Sequence, residues 1–553
     1  MPYYRLALAA ACSFFAVSSV EARVGTYEIV VQTGDMSATG EVVDANFQGV
    51  VINSGGDIAF RAQAPGDANF SVFSVTDSVL ASRLVPGQLF DGVGIIRSAQ
   101  FPYLTDDGLI GGIITTDAAK AAVYVSPVDN GVFYKDGDFL PNGTSLRADG
   151  PNQWQIGTMN SIGEISLRGW TTEAVSRQSY AFAARDNVIE NRIANGDAIA
   201  GVDQPFDGDG SSGRFSASQL TDDGLLYARS SGGLIVAAGS SVITPIVSSS
   251  GPARVGRDGN VVFRATLTSN GTTPQSGYWT RDGSSFRRVL RSDAVIIGER
   301  AGATPRTVGS SSVFAVATSD VFTLTNPTDT ILVSEGQARL VARDQQSIPG
   351  ISGVVLTSQV NRVLGDGTVI FQATMRRGND NERSLIYFHD EVGHLEVMTE
   401  DTAVAGINVD EYGFYDSGDF AQRGVNGSGE IVFEFRGRAP DNTRRDGIMK
   451  WTAPSLDDLI PADANLDGVV NLADFGILRS NFGSDLAYRT SGDFNGDNVV
   501  NLADFGILRS SFGNASASDI ATMDAWAATV PEPAAGLAAL GVVGLLGLRR
   551  RSA

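Results

Sequence analysis

From residue 23 to about 450 the chain repeats one local pattern: a polar turn containing glycine, then a short run of alternating or continuous apolar residues. The copies read NSGGDIAFRA at 53–62, TDDGLIGGI at 105–113, NSIGEISLRG at 160–169, TDDGLLYAR at 221–229, GRDGNVVFRA at 256–265, GDGTVIFQA at 365–373 and NGSGEIVFEF at 426–435. A degenerate copy, GSSSVFAVA, occupies 309–317. The turn glycines are Gly56, Gly108, Gly163, Gly224, Gly259, Gly367 and Gly429, and Ser312, between Gly259 and Gly367, brings the units to eight. They recur every 52–62 residues, with one shorter gap of 35. Glycine turns beside apolar runs predict β-hairpins. Second hairpins follow at GYWTRDGSSFRRVL, 277–290, and LIYFHDEVGHLEVM, 385–398.

Four short strands per ~50 residues is the pattern of a propeller blade. Residues 23–455 are therefore expected to form a mainly β, seven- or eight-bladed β-propeller-like repeat domain. A β-solenoid or a string of sandwiches is the alternative. The repeats resemble the weakly similar tandem-repeat domains of PEP-CTERM proteins.

The periodicity changes after residue 455. The twelve residues VVNLADFGILRS at 469–480 recur unchanged at 499–510, an internal duplication with an offset of 30. Leu472, Phe475, Leu478 and Phe482 fall on one helical stripe, as do Leu502, Phe505, Leu508 and Phe512. Gly483 and Gly513 mark the helix ends. An oxygen-rich loop runs into each helix: Asp463, Asn465, Asp467, Val469, Asn471 and Asp474, then Asp493, Asn495, Asp497, Val499, Asn501 and Asp504. These are positions 1, 3, 5, 7, 9 and 12 of a twelve-residue EF-hand-type loop. The side chains at 1, 3, 5, 9 and 12, with the carbonyl at 7, supply the six to eight oxygens that calcium takes. Position 6 is Gly468 in the first loop and Asn498 in the second, where the sharp turn is expected to cost more. Two calcium ions (Ca2+) are expected.

A loop followed by one helix, twice, resembles the type I dockerin module. That resemblance implies a cohesin-like partner, commonly met through Ser/Thr pairs at loop positions 10 and 11. Here those positions hold Leu472-Ala473 and Leu502-Ala503, which leaves calcium binding intact and puts cohesin pairing in question against an intramolecular contact. The module is placed at 456–520, followed by a linker at 521–533.

Both ends carry export signals. Arg5, the apolar stretch Leu6 to Val17 and Val20-Glu21-Ala22 read as a signal peptide over 1–22. At the other end Pro531-Glu532-Pro533 precedes the apolar run Ala534 to Leu548 and then Arg549, Arg550 and Arg551. Residues 534–553 read as a C-terminal transmembrane helix with its basic cluster on the cytoplasmic side. This order resembles the PEP-CTERM sorting signal, which implies exosortase processing of the tail. The expected location is exported: cell surface, outer envelope or extracellular matrix, at least transiently anchored in the inner membrane.

Composition narrows the function. The formal net charge is −21, and the basic tail contributes +3 in the opposite sense. Such a surface repels nucleic acid and anionic lipid and attracts cations. The one cysteine, Cys12, lies in the leader, so the exported part is held without disulfides. His389 and His394 are the only histidines and read as surface hairpin residues. Asp106-Asp107 and Asp222-Asp223 share one repeat position and read as turn residues. No G-x-S-x-G elbow, phosphate loop or HExxH helix occurs. The sequence thus points to a non-enzymatic surface or matrix protein with a β-repeat interaction platform. The alternative is a polysaccharide-binding or polysaccharide-degrading protein, such as a glycoside hydrolase, recruited through cohesin.

Overall fold

The computed structural model describes residues 25–530, with interruptions between 142 and 305 and at 349–350, 401, 405, 415–423, 484–487 and 513–515. The expected signal peptide and the expected apolar tail helix lie outside the described residues. Among the described residues no helix is long and apolar enough to cross a membrane.

The described chain is mainly β and propeller-like. Eight sheets of four or five strands follow one another along the described chain, antiparallel throughout except where Ile296–Ile297 pairs parallel with Gln337–Arg343 in the sixth. The first runs through Ala45–Ile52, Ile58–Gln63, Phe70–Thr76 and Val79–Leu84. The seventh runs through Val354–Val363, Val369–Arg377, Asp380–His389 and Gly393–Thr399. The eighth takes its outermost strand from the other end of the chain: Thr26–Gln32 pairs antiparallel with Arg444–Thr452, from Thr26 opposite Thr452 to Gln32 opposite Gly447.

The core lies between sheets. Val51, Ala59 and Val72 of the first sheet share a cluster with Ile96, Ala99 and Ile114 of the second. Ile370, Leu385 and Leu395 of the seventh meet Phe433, Met449 and Trp451 of the eighth. Val432 and Ile448 of the eighth pack on Phe47, Phe60 and Phe73 of the first. Ile431–Arg438, a middle strand of the eighth sheet, is covered on both faces and opens with five consecutive buried residues, including Glu434. That sandwiching makes the strands apolar runs, where a one-faced sheet would alternate.

The recurring turn links neighbouring sheets. The side-chain oxygen of Asn53 accepts from the Asp57 amide at 2.8 Å, while its Nδ2 donates to the Thr105 carbonyl of the second sheet at 3.0 Å. Asn160 repeats this with Glu164 at 2.8 Å and Thr221 at 3.1 Å. Asn426 of the eighth sheet holds Glu430 at 3.0 Å and reaches back to the Asn53 carbonyl at 3.2 Å. Gly56, Gly163 and Gly429 have φ of +87°, +80° and +79°, which explains glycine at this position. The degenerate copy is corrected by the structure: Ser312 opens Ser312–Val316, an edge strand of the sixth sheet. The equivalent turn is 317–321, where Ala317 N donates to Val321 O at 3.0 Å.

Candidate metal centre

Each oxygen-rich loop runs into a helix, α1 at Leu472–Ser480 and α2 at Leu502–Ser511. A third helix, α3 at Ala517–Ala527, follows. Among the described residues no α-helix enters either loop; a short 3-10 turn precedes each, Leu456–Asp458 and Arg489–Ser491. Asn471 caps α1: its Oδ1 accepts from Ala473 N at 2.7 Å, and Asp474 Oδ2 accepts from Asn471 N at 2.8 Å. Asn501 and Asp504 repeat both bonds at the same lengths at α2. Loop positions 9 and 12 are thus also a helix cap and its reciprocal acid, which places a carboxylate at the positive end of each helix.

Phe475, Leu478, Phe505, Leu508, Phe512 and Met523 form the module's core. Leu472 departs from the expected stripe and is 40% exposed. The segment expected to be linker contains most of α3. Its Trp526 packs against Phe475 at 5.3 Å, Phe482 at 5.1 Å and Phe505 at 5.7 Å. Arg509 Nε donates to Asp524 at 2.7 Å across the α2–α3 contact.

The loops gather their acids. In the second, ligand atoms of Asp493, Asp497 and Asp504 all lie within 4.8 Å of one another. Asp493 Oδ1 accepts from Gly496 N and Oδ2 from Asn498 N, at 2.8 and 2.7 Å. Burial pushes the Asp493 carboxyl up from its ordinary value, and Asp504 and Asp497 push it the same way against the amides of Asn498 and Gly496. Asp463 in the first loop is raised by burial and by Asp474 and Asp467. Asp497, at the surface, is held low by the amides of Asn495, Val499 and Asn501. Three converging carboxylates with side-chain amides and a backbone carbonyl, which here accepts from the Asn501 side chain at 3.2 Å, suit a hard divalent cation such as calcium, which would relieve this repulsion. Asp463, Asn465, Asp467, Val469, Asn471 and Asp474 would hold one ion. Asp493, Asn495, Asp497, Val499, Asn501 and Asp504 would hold the other.

The backbone strain is distributed differently from the sequence expectation. Asn498 does take a left-handed φ of +64°, but the first loop carries two non-glycine residues there, Ala462 at +68° and Leu466 at +56°. Their counterparts in the second loop are Gly492 and Gly496. Leu466 packs against the cluster shared by the seventh and eighth sheets, so a tertiary contact offsets the conformational cost.

The module sits on the body. Tyr488, between the two loops, is 6% exposed and belongs to the cluster of the sixth and seventh sheets. Its ring meets Phe388 edge-on at 5.3 Å. Thr490 N donates to Val392 O at 3.0 Å. Arg339 pairs with Asp390 at 3.4 Å and reaches Asn498 Oδ1 at 3.5 Å. The histidines are therefore not surface residues: His389 and His394 are 6% and 4% exposed, buried near this seat. His394 Nε2 bonds the Val341 carbonyl at 2.8 Å, and burial pushes its pKa down to about 4. Nothing in the local sequence pattern signals this seat, because the partners come from three remote segments.

Asp106 and Asp222 are turn residues between sheets. Asp106 Oδ1 accepts from Ser54 N at 3.0 Å, and Asp222 Oδ1 from Ser161 N at 2.8 Å.

No protein-family model matches the sequence, and no relative was found among curated proteins. Among solved structures the chain is similar to the β-propeller domain of the Trilobed protease from Pyrococcus furiosus, with 10% identity, TM-score 0.31, and coverage of 63% of this chain and 98% of that one. It is also similar to the WD40 domain of SCAP from fission yeast, with 10% identity, TM-score 0.28, and coverage of 79% and 90%. A puromycin-hydrolyzing peptidase of Mycobacterium tuberculosis matches at 11% identity and TM-score 0.30, over 65% of this chain and 53% of that one.

Proposed function

We propose that the chain is an exported, non-enzymatic surface or matrix protein whose eight sheets form an eight-bladed propeller and whose dockerin-like module binds two calcium ions. The observation that carries the calcium reading is the convergence of Asp493, Asp497 and Asp504 within 4.8 Å, in a loop duplicated thirty residues earlier. The blade number is supported by shared apolar clusters between consecutive sheets and by the contact of the eighth sheet with the first. The propeller serves as the interaction platform. Calcium folds and fixes the appended module, as expected for a small domain with few buried residues. The PEP-CTERM-like tail is the exosortase substrate that holds the protein in the inner membrane.

Calorimetric titration of the exported chain with calcium tests this. Two saturable sites are expected, one lost in Asp474→Asn and the other in Asp504→Asn. Absence of saturable heat in the unaltered chain overturns it.

A second reading, recruitment of a polysaccharide-active or polysaccharide-binding protein by cohesin, is favoured by one observation. Leu472, Ala473 and Ala503, at loop positions 10 and 11, are exposed. A cohesin pull-down that depends on these residues would support it.

A further inference from the structure

We propose that the second calcium loop and the body form one cooperative unit: ion binding at 493–504 clasps the module onto the seventh sheet through Tyr488, and seating in turn tightens the ion site. The inference rests on the calcium reading above and adds the identity of the module's partner, which is the chain's own body.

The seat is built for close approach. Tyr488 is wedged between Phe388 and His394, at 5.3 and 5.6 Å. Gly393 has φ of +101°, and a Cβ there would come within 2.7 Å of the Tyr488 Cβ and collide with Thr490 Oγ1. Only glycine lets the two backbones meet here.

The anchor and the first ligand share one turn. Ser491 N and Asp493 N both donate to the Tyr488 carbonyl, at 2.8 and 3.1 Å. Whatever orders Asp493 therefore orders the turn that carries Tyr488. From the other side, Arg339 of the sixth sheet touches Asn498 Oδ1 at 3.5 Å, and Asn498 N donates to Asp493 Oδ2 at 2.7 Å. The second loop is thus gripped at position 6 by the body and tied at position 1 to the anchor.

The first copy lacks this device. Thirty residues before Tyr488 and Thr490 stand Asp458 and Ile460. The duplicated helices are identical over twelve residues, yet the anchoring positions differ. The second copy alone carries the aromatic wedge. Three close carboxylates repel one another without a cation. A cation removes that repulsion and stiffens the turn, which lowers the entropic cost of seating Tyr488. By reciprocity, a seated turn binds the cation more tightly.

The full exported chain is the test material. Hydrogen exchange at 390–399 is measured with calcium and with a chelator, and calcium affinity is measured by calorimetry in Tyr488→Ala and Arg339→Ala. Calcium should protect 390–399, and Asp504→Asn should abolish that effect. Each seat variant should weaken one of the two sites about tenfold and spare the other. Arg339→Ala keeps the test decisive if Tyr488→Ala disturbs the body. Two sites of unaltered affinity in both variants, or exchange at 390–399 indifferent to calcium while both ions bind, would overturn the clasp alone. Absence of calcium binding in the unaltered chain would overturn the calcium reading as well.

Discussion

The ring of Tyr488 stands edge-on to the imidazole of His394, with centroids 5.6 Å apart and planes at 82°. One residue lies between the two acidic loops and the other on the last strand of the seventh sheet. Their contact makes the module a part of the body's core.

The contact has a pH dependence. Burial depresses His394 to about 4, below its ordinary 6.5, against the hydrogen bond to Val341. Between those values the unfolded chain binds the proton and the folded chain does not. Stability is therefore complete above pH 6.5 and falls as pH drops toward 4, by roughly 3 kcal/mol from this group. Denaturant midpoints of the native chain and His394→Phe at pH 7 and pH 4.5 check this. The variant should lose part of the acid sensitivity, and an unchanged slope would refute the assignment.

Glu434 runs the other way. Burial raises it to about 8, against the Gly49 amide, Arg436 and Arg61, whereas its ordinary value is 4.5. Here the folded state holds the extra proton between the two values, so stability falls as pH rises from 4.5 through 8. Glu434→Gln should be more stable than the native chain above pH 8 by a few kcal/mol, on the order given by the shift. Thermal melting at pH 5 and pH 9 measures it, and the two chains should converge at the lower pH.

Asn426 links the eighth sheet to the first through the Asn53 carbonyl. Asn426→Ala removes that bond and leaves the half-buried Glu430 amide without its side-chain acceptor. A loss of about 1–3 kcal/mol is expected. Equilibrium denaturation reads it, and Asn160→Ala should cost a similar amount.

Chelation should separate two parts of the chain. Removing calcium is expected to lower the helix signal of the module while the β signal of the sheets persists in far-UV circular dichroism. Trp526→Ala, which strips one ring from three phenylalanines, should destabilise the module by about 3 kcal/mol. It should shift the calcium-dependent transition and leave the body's transition in place.

Much of this was legible in the residues alone. The glycine turns mark the sheets because a left-handed φ and an Asn or Thr turn closure are local requirements, met within five residues. The loop spacing marks the converging acids of the second loop for the same reason. The sequence pattern puts the turn of the sixth sheet one strand too early, because the true turn at 317–321 has no glycine and the polar GSSS stretch imitates one. Most of α3 falls in the segment read as linker, because Met523 is its one fully buried residue and Trp526 is half-buried.

By itself, then, the sequence determined the repeat and the two loop–helix units, and it marked the acids Asp493, Asp497 and Asp504 that the structure gathers, since each depends on neighbours along the chain. Tertiary structure alone decided that strand Thr26–Gln32 completes the eighth sheet, that both histidines are buried, and that Tyr488 seats the module on the body. Those outcomes depend on apolar surfaces brought together from distant segments. Hydrophobic burial is non-directional, so no local pattern names the partner it will find.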